Sequence, residues 1–216
     1  MKVLVFTPHN DDEVLGVGGT IAKLSRAGHE VCVCEVTGVE SNDFFRKVKV
    51  EAISAHKILG VKKTFFLGSP VIELKHESVI TLNSKIREVV REVQPNIVFI
   101  PHKGDMHNDH LEVAQSAMVA LRPHENPQLK AIYSYETLSE TEWSIPSVEN
   151  AFIPNVWVDI SETIDIKIEA MSCFQSQIQE FPHPRSLKAI RSLSEFRGST
   201  ICVNNAESFM LIRSIF

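Results

Sequence analysis

Short apolar runs alternate with helix-spaced apolar positions over the first two-thirds of the chain. The runs predict strands over Lys2–Thr7 and within HEVCVCEVTG, KKTFFLG, NIVFIPH and KAIYSYE. Helices are predicted from near Glu13 to Ala27, over Phe44–Leu59, over Ile80–Val93 and over Leu111–Leu121. Because the strands are apolar on both faces, the alternation predicts a parallel sheet covered by helices on both sides. The predicted fold is α/β, a Rossmann-like three-layer α/β/α sandwich with a mostly parallel sheet.

The last third of the chain is less regular. NVWVDIS is typical of a strand that ends at a helix cap, Ser161, and a helix is predicted from there to about Ile178. A second helix is predicted to run through Arg197, and SFMLIRSI predicts a final strand. Without an internal repeat or a linker, we expect a single domain over residues 1–216, with a C-terminal elaboration from about residue 140.

Composition narrows the classes of partner. The net charge is −5, and the 22 basic residues are spread along the chain, so no nucleic-acid partner is expected. No apolar run approaches the roughly 20 residues of a membrane span, and the N-terminus lacks a signal-peptide cleavage pattern. The four cysteines form no C-x-x-C pair, which favours reduced thiols and a cytoplasmic location. The sequence is compatible with a homo-oligomer.

Histidines and acids concentrate where two predicted strands end. PHNDDE, residues 8–13, follows the first strand, and PHKGDMHNDH, whose HNDH spans residues 107–110, follows the fourth. In an open α/β sheet the ligand site lies at the carboxyl ends of the strands, and the doubly wound order makes these two strands neighbours. The loops are therefore expected to bring together His9, Asp11, Asp12, His107, Asp109 and His110.

Two imidazoles and a carboxylate form a catalytic zinc set that leaves a position for water, and a further carboxylate can take the proton of that water. The pattern indicates metal-assisted hydrolysis. Taken singly, His9 would be a core histidine, and Asp11, Asp12 and Glu13 would be helix-capping acids. Capping has no use for the imidazoles of HNDH, which favours the metal.

Other residues of the same stretch are given structural interpretations. Glu13 is interpreted as a first-turn acid and not as a ligand. Gly16, Gly18 and Gly19 do not have the G-x-G-x-x-G spacing of a dinucleotide site, so we expect them to allow close packing of helix on sheet. Four further histidines lie in stretches that are typical of surface turns or helix faces, and we assign them no role in the site: His29, His56, His76 and His124.

TPHNDDEVLGVGGTIAKL together with HNDH resembles the PIG-L/LmbE-like zinc-dependent N-acetylglucosaminyl deacetylase family, whose members remove acetyl groups from N-acetylated amino sugars. The similarity continues in EAISAHKILGV, YETLSETEW, FIPNVWVDIS, FPHPRS and AESFMLIR, and so covers nearly the whole chain. Asn10 departs from the family pattern, which has Pro or another small residue there, but that position is not a ligand. The resemblance implies a hydrolase of linear amide bonds, with a small N-acetyl sugar or glycoconjugate as substrate.

The resemblance also implies roles for individual residues. His9, Asp12 and His110 would bind one Zn²⁺ per chain, although Fe²⁺ or Co²⁺ also suits two histidines and a carboxylate. Asp11 would be the general base, and His107 would stabilise the tetrahedral intermediate and protonate the leaving amine, with Asp109 holding that imidazole charged or oriented. For substrate binding, Arg46 lies near the position at which the family uses an arginine, although its spacing to EA is not the usual one. Independently of the resemblance, His183 and Arg185 in FPHPRS either line the substrate pocket or belong to a turn set by the two prolines.

Two hypotheses compete with a deacetylase. A metal-binding sugar-recognition protein of the same fold would keep the ligands but have no turnover. The sequence gives no sign that catalysis has been lost, because Asp11 and both histidines of HNDH are present. Nucleotide binding without a metal conflicts with the glycine spacing, and Glu35 comes too early to serve as the acid at the end of the second strand.

Overall fold

A computed structural model describes residues 1–39 and 41–215. The strands and helices follow in the order β1 (Lys2–Thr7), α1 (Asp12–Arg26), β2 (Glu30–Thr37), α2 (Asp43–Leu59), β3 (Lys63–Ser69), a 3₁₀ turn (Leu74–His76), α3 (Val79–Val93), β4 (Ile97–Pro101), α4 (Asn108–Ala120), β5 (Ala131–Tyr135), β6 (Val156–Asp159), α5 (Ile164–Met171), α6 (Leu187–Ser199) and β7 (Ala206–Ser214). None of the helices in the described residues is long and apolar enough to cross a membrane.

The strands form one seven-stranded sheet in the order β3-β2-β1-β4-β5-β7-β6. The first five strands are parallel, whereas β7 runs antiparallel to both β5 and β6. One apolar core lies between the sheet and α1, α2, α5 and α6, and a second lies between the opposite face and α3 and α4. The predicted three-layer α/β/α sandwich with a mostly parallel sheet is therefore confirmed. Because β1 lies between β2 and β4, the strand order reverses there.

The glycines of α1 let that helix lie directly on its neighbours. A Cβ atom on Gly16 would lie 2.3 Å from Cδ2 of Tyr135, and one on Gly19 would lie 2.7 Å from Cδ1 of Ile160. No pair of carbon atoms packs at such distances, so a larger residue at either position would force the helix away from β5 or the segment after β6. The interpretation of these glycines as close packing of helix on sheet agrees with this geometry.

Two helix boundaries differ from their predicted positions. The helix α4 begins at Asn108, three residues before the predicted Leu111, because the His107 side chain accepts a hydrogen bond from the Asp109 amide and caps the helix. The predicted helix from Ser161 to about Ile178 is wrong: α5 begins at Ile164 and ends at Met171. Beyond it the chain turns, and Glu51 of α2 accepts a hydrogen bond from the Ser176 amide at 3.2 Å. This tertiary contact outweighs the local helical pattern.

Candidate active site

The strand-order reversal places two loops side by side. The loop after β1 carries His9 and Asp11 and runs into α1 at Asp12, and the loop after β4 runs into α4 at HNDH. Since β1 and β4 are adjacent and parallel, both loops lie at the same edge of the sheet. Ligand sites in open α/β sheets form at such a reversal.

Three of the predicted site residues form what we call the open cluster: His9, Asp12 and His110. Oδ2 of Asp12 lies 3.2 Å from Nδ1 of His9 and 3.2 Å from Nε2 of His110. The side chains of Asp12 and His110 are fully buried, whereas that of His9 is 18% exposed. The ligand atoms of all three residues lie within 4.8 Å of one another, which is close enough for one metal ion to contact them all.

Unpaired atoms show that the open cluster fits a cation. Nε2 of His110 and Oδ1 of Asp12 are buried and have no hydrogen-bond partner among the described residues. The other ring nitrogen of His110, Nδ1, lies 2.8 Å from Oδ2 of Asp105. Asp105 therefore holds the Nδ1 proton and leaves the lone pair of Nε2 available, the usual arrangement for a metal-binding histidine. Buried polar atoms are rarely left without a partner, so a metal that fits these donors accounts for them.

The electrostatics of the open cluster also favour positive charge. Burial alone would lower the pKa of His110, but Asp12 and Asp105 raise it to about 10. Burial would likewise lower the pKa of His9, yet Asp109 and Asp12 raise it to about 9. Burial alone would raise the pKa of Asp12, but His110 and His9 hold this pKa well below its usual range. The carboxylates thus create a negative potential, which a metal ion can neutralise in place of these protons.

Asp11 lies beside the open cluster: its amide donates to the His9 carbonyl at 3.1 Å, while its side chain pairs with Arg185. Burial raises the pKa of Asp11 to about 7, against the opposing effect of Arg185. The guanidinium of Arg185 donates from Nη1 to Oδ2 of Asp11 at 3.1 Å and to Oε1 of Gln177 at 3.0 Å. Its Nε donates to Oγ of Ser139 at 2.8 Å, so Arg185 is held at several points and fixes the orientation of the Asp11 carboxylate.

The Asp109 side chain lies closer to His9 than to His107, and the Asp109 amide holds Nδ1 of His107 at 3.1 Å. Oδ2 of Asp109 lies 3.3 Å from Nε2 of His9 but 3.9 Å from Nδ1 of His107, so His9 is its closer imidazole. The carboxylate also accepts hydrogen bonds from the Ile72 amide at 2.7 Å and the Leu74 amide at 3.4 Å. Burial and then His9 lower the pKa of His107 to about 4, against the opposing effect of Asp109.

The position of Ile72 shows a further role of Asp109. Ile72 has a positive φ of 68°, a conformation that is strained for a β-branched residue. Its amide is held by Asp109, so Asp109 ties the segment after β3 to the first turn of α4. His9, His107 and Asp109 also form a second group of ligand atoms within 4.8 Å of one another, which shares His9 with the open cluster.

A cavity of about 210 Å³ opens onto these residues. Its polar wall contains Asp11, His107, Glu140, Gln177 and Arg185, and its apolar wall contains Phe44, Phe45, Val48, Val71 and Ile72. Burial raises the pKa of Glu140, whose Oε1 lies 3.6 Å from Nη2 of Arg185. Sequence reasoning missed Asp105 and Glu140. Asp105 was visible in PHKGDMHNDH as the acid five residues before His110, whereas the position of Glu140 in an irregular loop gave no comparable signal.

The three predicted substrate-binding residues lie in different places. Arg185 lines the cavity. His183 does not line it; its Nδ1 accepts a hydrogen bond from the Arg185 amide at 3.0 Å, so it shapes the turn that presents Arg185. Arg46 is exposed on α2 and pairs with Asp43, and it does not line the cavity either. The apolar side chains of the same helix face the cavity in its place.

A second buried group, the closed cluster, consists of Glu13, Glu35 and His56. Nε2 of His56 lies 3.1 Å from Oε1 of Glu13 and 3.4 Å from Oε1 of Glu35. The prediction that His56 lies on a surface turn or helix face is wrong, because its side chain is only 4% exposed. Glu13 is in the first turn of α1 as expected, but it is fully buried.

The fold and the open cluster define an α/β protein with a cation-attracting centre at its strand-order reversal. The family described as PIG-L: GlcNAc-PI de-N-acetylase matches residues 4–121, more than half of the chain. The chain therefore belongs to the PIG-L family, and the predicted recognition is confirmed.

Individual relatives agree with this assignment. A diacetylchitobiose deacetylase of Thermococcus kodakarensis is 28% identical over 232 aligned positions, which cover 100% of this chain and 84% of the relative. The solved N,N'-diacetylchitobiose deacetylase of Pyrococcus horikoshii is 26% identical with a TM-score of 0.77, over 98% of this chain and 83% of the other. A conserved protein of Thermus thermophilus is 25% identical with a TM-score of 0.80, over 99% of this chain and 96% of the other. The predicted enzyme class, an N-deacetylase that hydrolyses an amide bond, is confirmed.

Proposed function

We propose that the chain is a zinc-dependent N-deacetylase whose reaction takes place at the open cluster, on a small N-acetylated amino sugar or its conjugate. The observation that carries this proposal is a pair of buried atoms without a hydrogen bond to a described residue, Nε2 of His110 and Oδ1 of Asp12, beside a cavity lined by Asp11. His9, Asp12 and His110 would hold one catalytic zinc ion. When bound there, zinc polarises the amide carbonyl and lowers the pKa of a water molecule.

Asp11 is the general base in this proposal. It lies next to Asp12 in the chain and faces the cavity, but its Oδ2 contacts Arg185 and none of the three ligands. A carboxylate in this position takes the proton from the attacking water. Arg185 orients this carboxylate, and Ser139 and Gln177 hold the guanidinium in place.

His107 acts as a hydrogen-bond donor to the developing oxyanion. Nδ1 of His107 accepts from the Asp109 amide at 3.1 Å, so the single proton of the neutral ring is on Nε2. An N–H donor fixed in advance at the cavity wall stabilises the tetrahedral intermediate without needing a charged imidazole. This assignment keeps the role that the resemblance implied but changes the protonation state.

The substrate class is supported by the relatives that act on diacetylchitobiose, a disaccharide of acetylated amino sugars. We expect the amide of one sugar at the polar wall and the rest of the molecule toward Phe44 and Ile72. The cytoplasmic location stays a prediction; the free state of all four cysteines agrees with it. Formation of a homo-oligomer stays a prediction as well.

Acetate release tests the proposal. The protein is assayed on a panel containing N-acetylglucosamine, diacetylchitobiose and N-acetylglucosaminyl conjugates, with and without a chelator. We expect acetate from at least one compound and loss of that activity on chelation. Tight, saturable sugar binding without acetate release across the panel would instead identify the metal-binding recognition protein.

A further inference from the structure

The closed cluster joins three elements that meet beneath the active-site loop. Glu13 comes from the first turn of α1, Glu35 from β2 and His56 from the last turn of α2. Both carboxylates are fully buried, and the His56 side chain is 4% exposed. None of the three lines the cavity at the open cluster, so the proposed reaction leaves the closed cluster without a use.

The carboxylates of the closed cluster have too few partners in the described residues. Oε2 of Glu13 and both oxygens of Glu35 are buried without a hydrogen bond. Within residues 1–39 and 41–215, His56 is the ion-pair partner of both acids. Burial, followed by the effect of Glu13, raises the pKa of Glu35 well above its usual range, so without a cation this carboxyl group keeps its proton. A metal ion at the cluster would take the place of that proton.

The imidazole is oriented as a metal ligand would be. Nδ1 of His56 lies 2.8 Å from Oγ1 of Thr64, and its Nε2 points between the two carboxylates. With its proton on Nδ1 and donated to Thr64, a neutral His56 offers the lone pair of Nε2 to the centre of the cluster. An outer partner that fixes one ring nitrogen in this way is typical of metal-binding histidines.

The spacing of the ligand atoms agrees with a zinc site. Ligands at about 2.0–2.1 Å from zinc in a tetrahedron are separated from one another by roughly 3.3 Å. Nε2 of His56 lies 3.1 Å from Glu13 and 3.4 Å from Glu35, close to the 3.2 Å distances in the open cluster. Each glutamate also has a second buried oxygen without a hydrogen bond. Bidentate binding of either carboxylate would complete the coordination without water, in a geometry with more ligands than a tetrahedron.

We propose that Glu13, Glu35 and His56 bind a second divalent metal ion, zinc in the first instance, as a closed structural site. A divalent cation balances the charge of two carboxylates with a neutral imidazole and gives the buried oxygens the partners that they lack. The ion fastens the start of α1, and with it the neighbouring ligand Asp12, to β2 and α2. Because the site has no opening to solvent, the ion is bound during folding and exchanges slowly.

Metal content per chain tests this site apart from catalysis. The protein and its variants are produced in zinc-supplemented medium, and their zinc is measured by mass spectrometry of the purified proteins. We expect two zinc ions in the wild type, and one each in Glu35→Gln, His56→Gln and the open-cluster variant His110→Ala. Glu51→Gln, which changes a buried glutamate of α2 outside the cluster, is the matched control and should keep two.

Cobalt gives a readout that does not depend on activity. His110→Ala protein produced with Co²⁺ should keep one ion with a visible ligand-field spectrum, and adding Glu35→Gln should remove both ion and spectrum. If the wild type holds one ion that disappears in His110→Ala and survives in Glu35→Gln, the closed cluster binds no metal and this proposal is overturned. The opposite pattern, one ion lost only in Glu35→Gln, would contradict the catalytic zinc instead.

Discussion

The open and closed clusters begin at successive residues of one helix but differ in their access to solvent. Asp12 and Glu13 are adjacent at the start of α1, and a helix turns about 100° per residue, so their carboxylates point to different sides. Asp12 meets His9 and His110 beside the cavity, whereas Glu13 meets His56 and Glu35 between α1, α2 and β2. In our proposals, similar donors at similar distances bind a catalytic ion at the open cluster and a structural ion at the closed cluster. The difference is that only the open cluster lies beside a cavity, which is lined by a further carboxylate, Asp11.

The largest effect is expected from a ligand of the open cluster. His110→Ala removes a fully buried ligand whose Nε2 forms no hydrogen bond with a described residue. The variant should lose its catalytic zinc and all detectable acetate release, both measurable on the same sample. Retention of readily chelated zinc in stoichiometric amount would show that His110 is not a ligand.

Asp11→Asn, a change beside the open cluster, separates catalysis from metal binding. The amide keeps the shape of the side chain but cannot take a proton, so kcat should fall by about 10²-fold or more while zinc content stays unchanged. Steady-state kinetics and metal analysis decide the point. A kcat within a few-fold of the wild type would mean that another group deprotonates the water.

His107→Ala tests the donor at the cavity wall. Loss of one oxyanion donor should lower kcat by about 10²-fold with little change in zinc content. Because His107 also caps α4, His107→Asn, which can still accept from the Asp109 amide, controls for the helix start. If both variants lost their zinc, we would conclude that the ion is bound by the other group of ligand atoms, which is formed by His9, His107 and Asp109.

The two clusters can be compared through the partners of their histidines. Asp105 holds Nδ1 of His110, and Thr64 holds Nδ1 of His56. Asp105→Asn should weaken zinc binding at the open cluster by about 10- to 100-fold, the usual effect of losing such a partner. Thr64→Val should leave that affinity unchanged. Competition with a zinc-binding dye measures the zinc affinity of the open cluster in both variants. Equal losses of affinity in the two variants would mean that the clusters are not independent.

The smallest effect is expected at Arg185. Arg185→Gln removes the charge that orients Asp11, and kcat/KM should fall by about tenfold, the scale of one charge-assisted hydrogen bond. Arg46→Gln on α2 is the matched control, and its kcat/KM should stay within about twofold of the wild type because Arg46 does not line the cavity. Equal effects of the two changes would contradict the assignment of Arg185.

The sequence predicted which two loops meet at the active site because the signals are local, whereas the choice of His9, Asp12 and His110 among their residues came from the family resemblance. Apolar strands followed by His- and Asp-rich loops indicate both the sheet and the edge at which the loops meet, and they predicted the adjacency of β1 and β4. The closed cluster was missed because Glu13, Glu35 and His56 come from three separate elements, and each pattern taken alone is that of an ordinary helix or strand.

The lowered pKa of His107 could not be predicted from the sequence either. It depends on burial and on the neighbouring His9, and both arise only when the two loops meet. The end of α5 at Met171 was missed for the same kind of reason, since a contact with Glu51 on another helix redirects the chain. Local pattern therefore predicted the elements and the ligand types, and tertiary contacts determined the states of the side chains.

Zinc add-back tests the central claim most directly, that the open cluster carries the reaction. The protein is treated briefly with a chelator, which is then removed. Acetate release is assayed as zinc is added in small steps, each a fraction of one equivalent, until more than one ion per chain has been added. We expect negligible activity at the start, a linear rise and a plateau at one added zinc ion per chain, because only the open cluster has an opening to the cavity and loses its ion quickly. Full activity in the chelated protein, or no recovery on addition of zinc, would contradict the account.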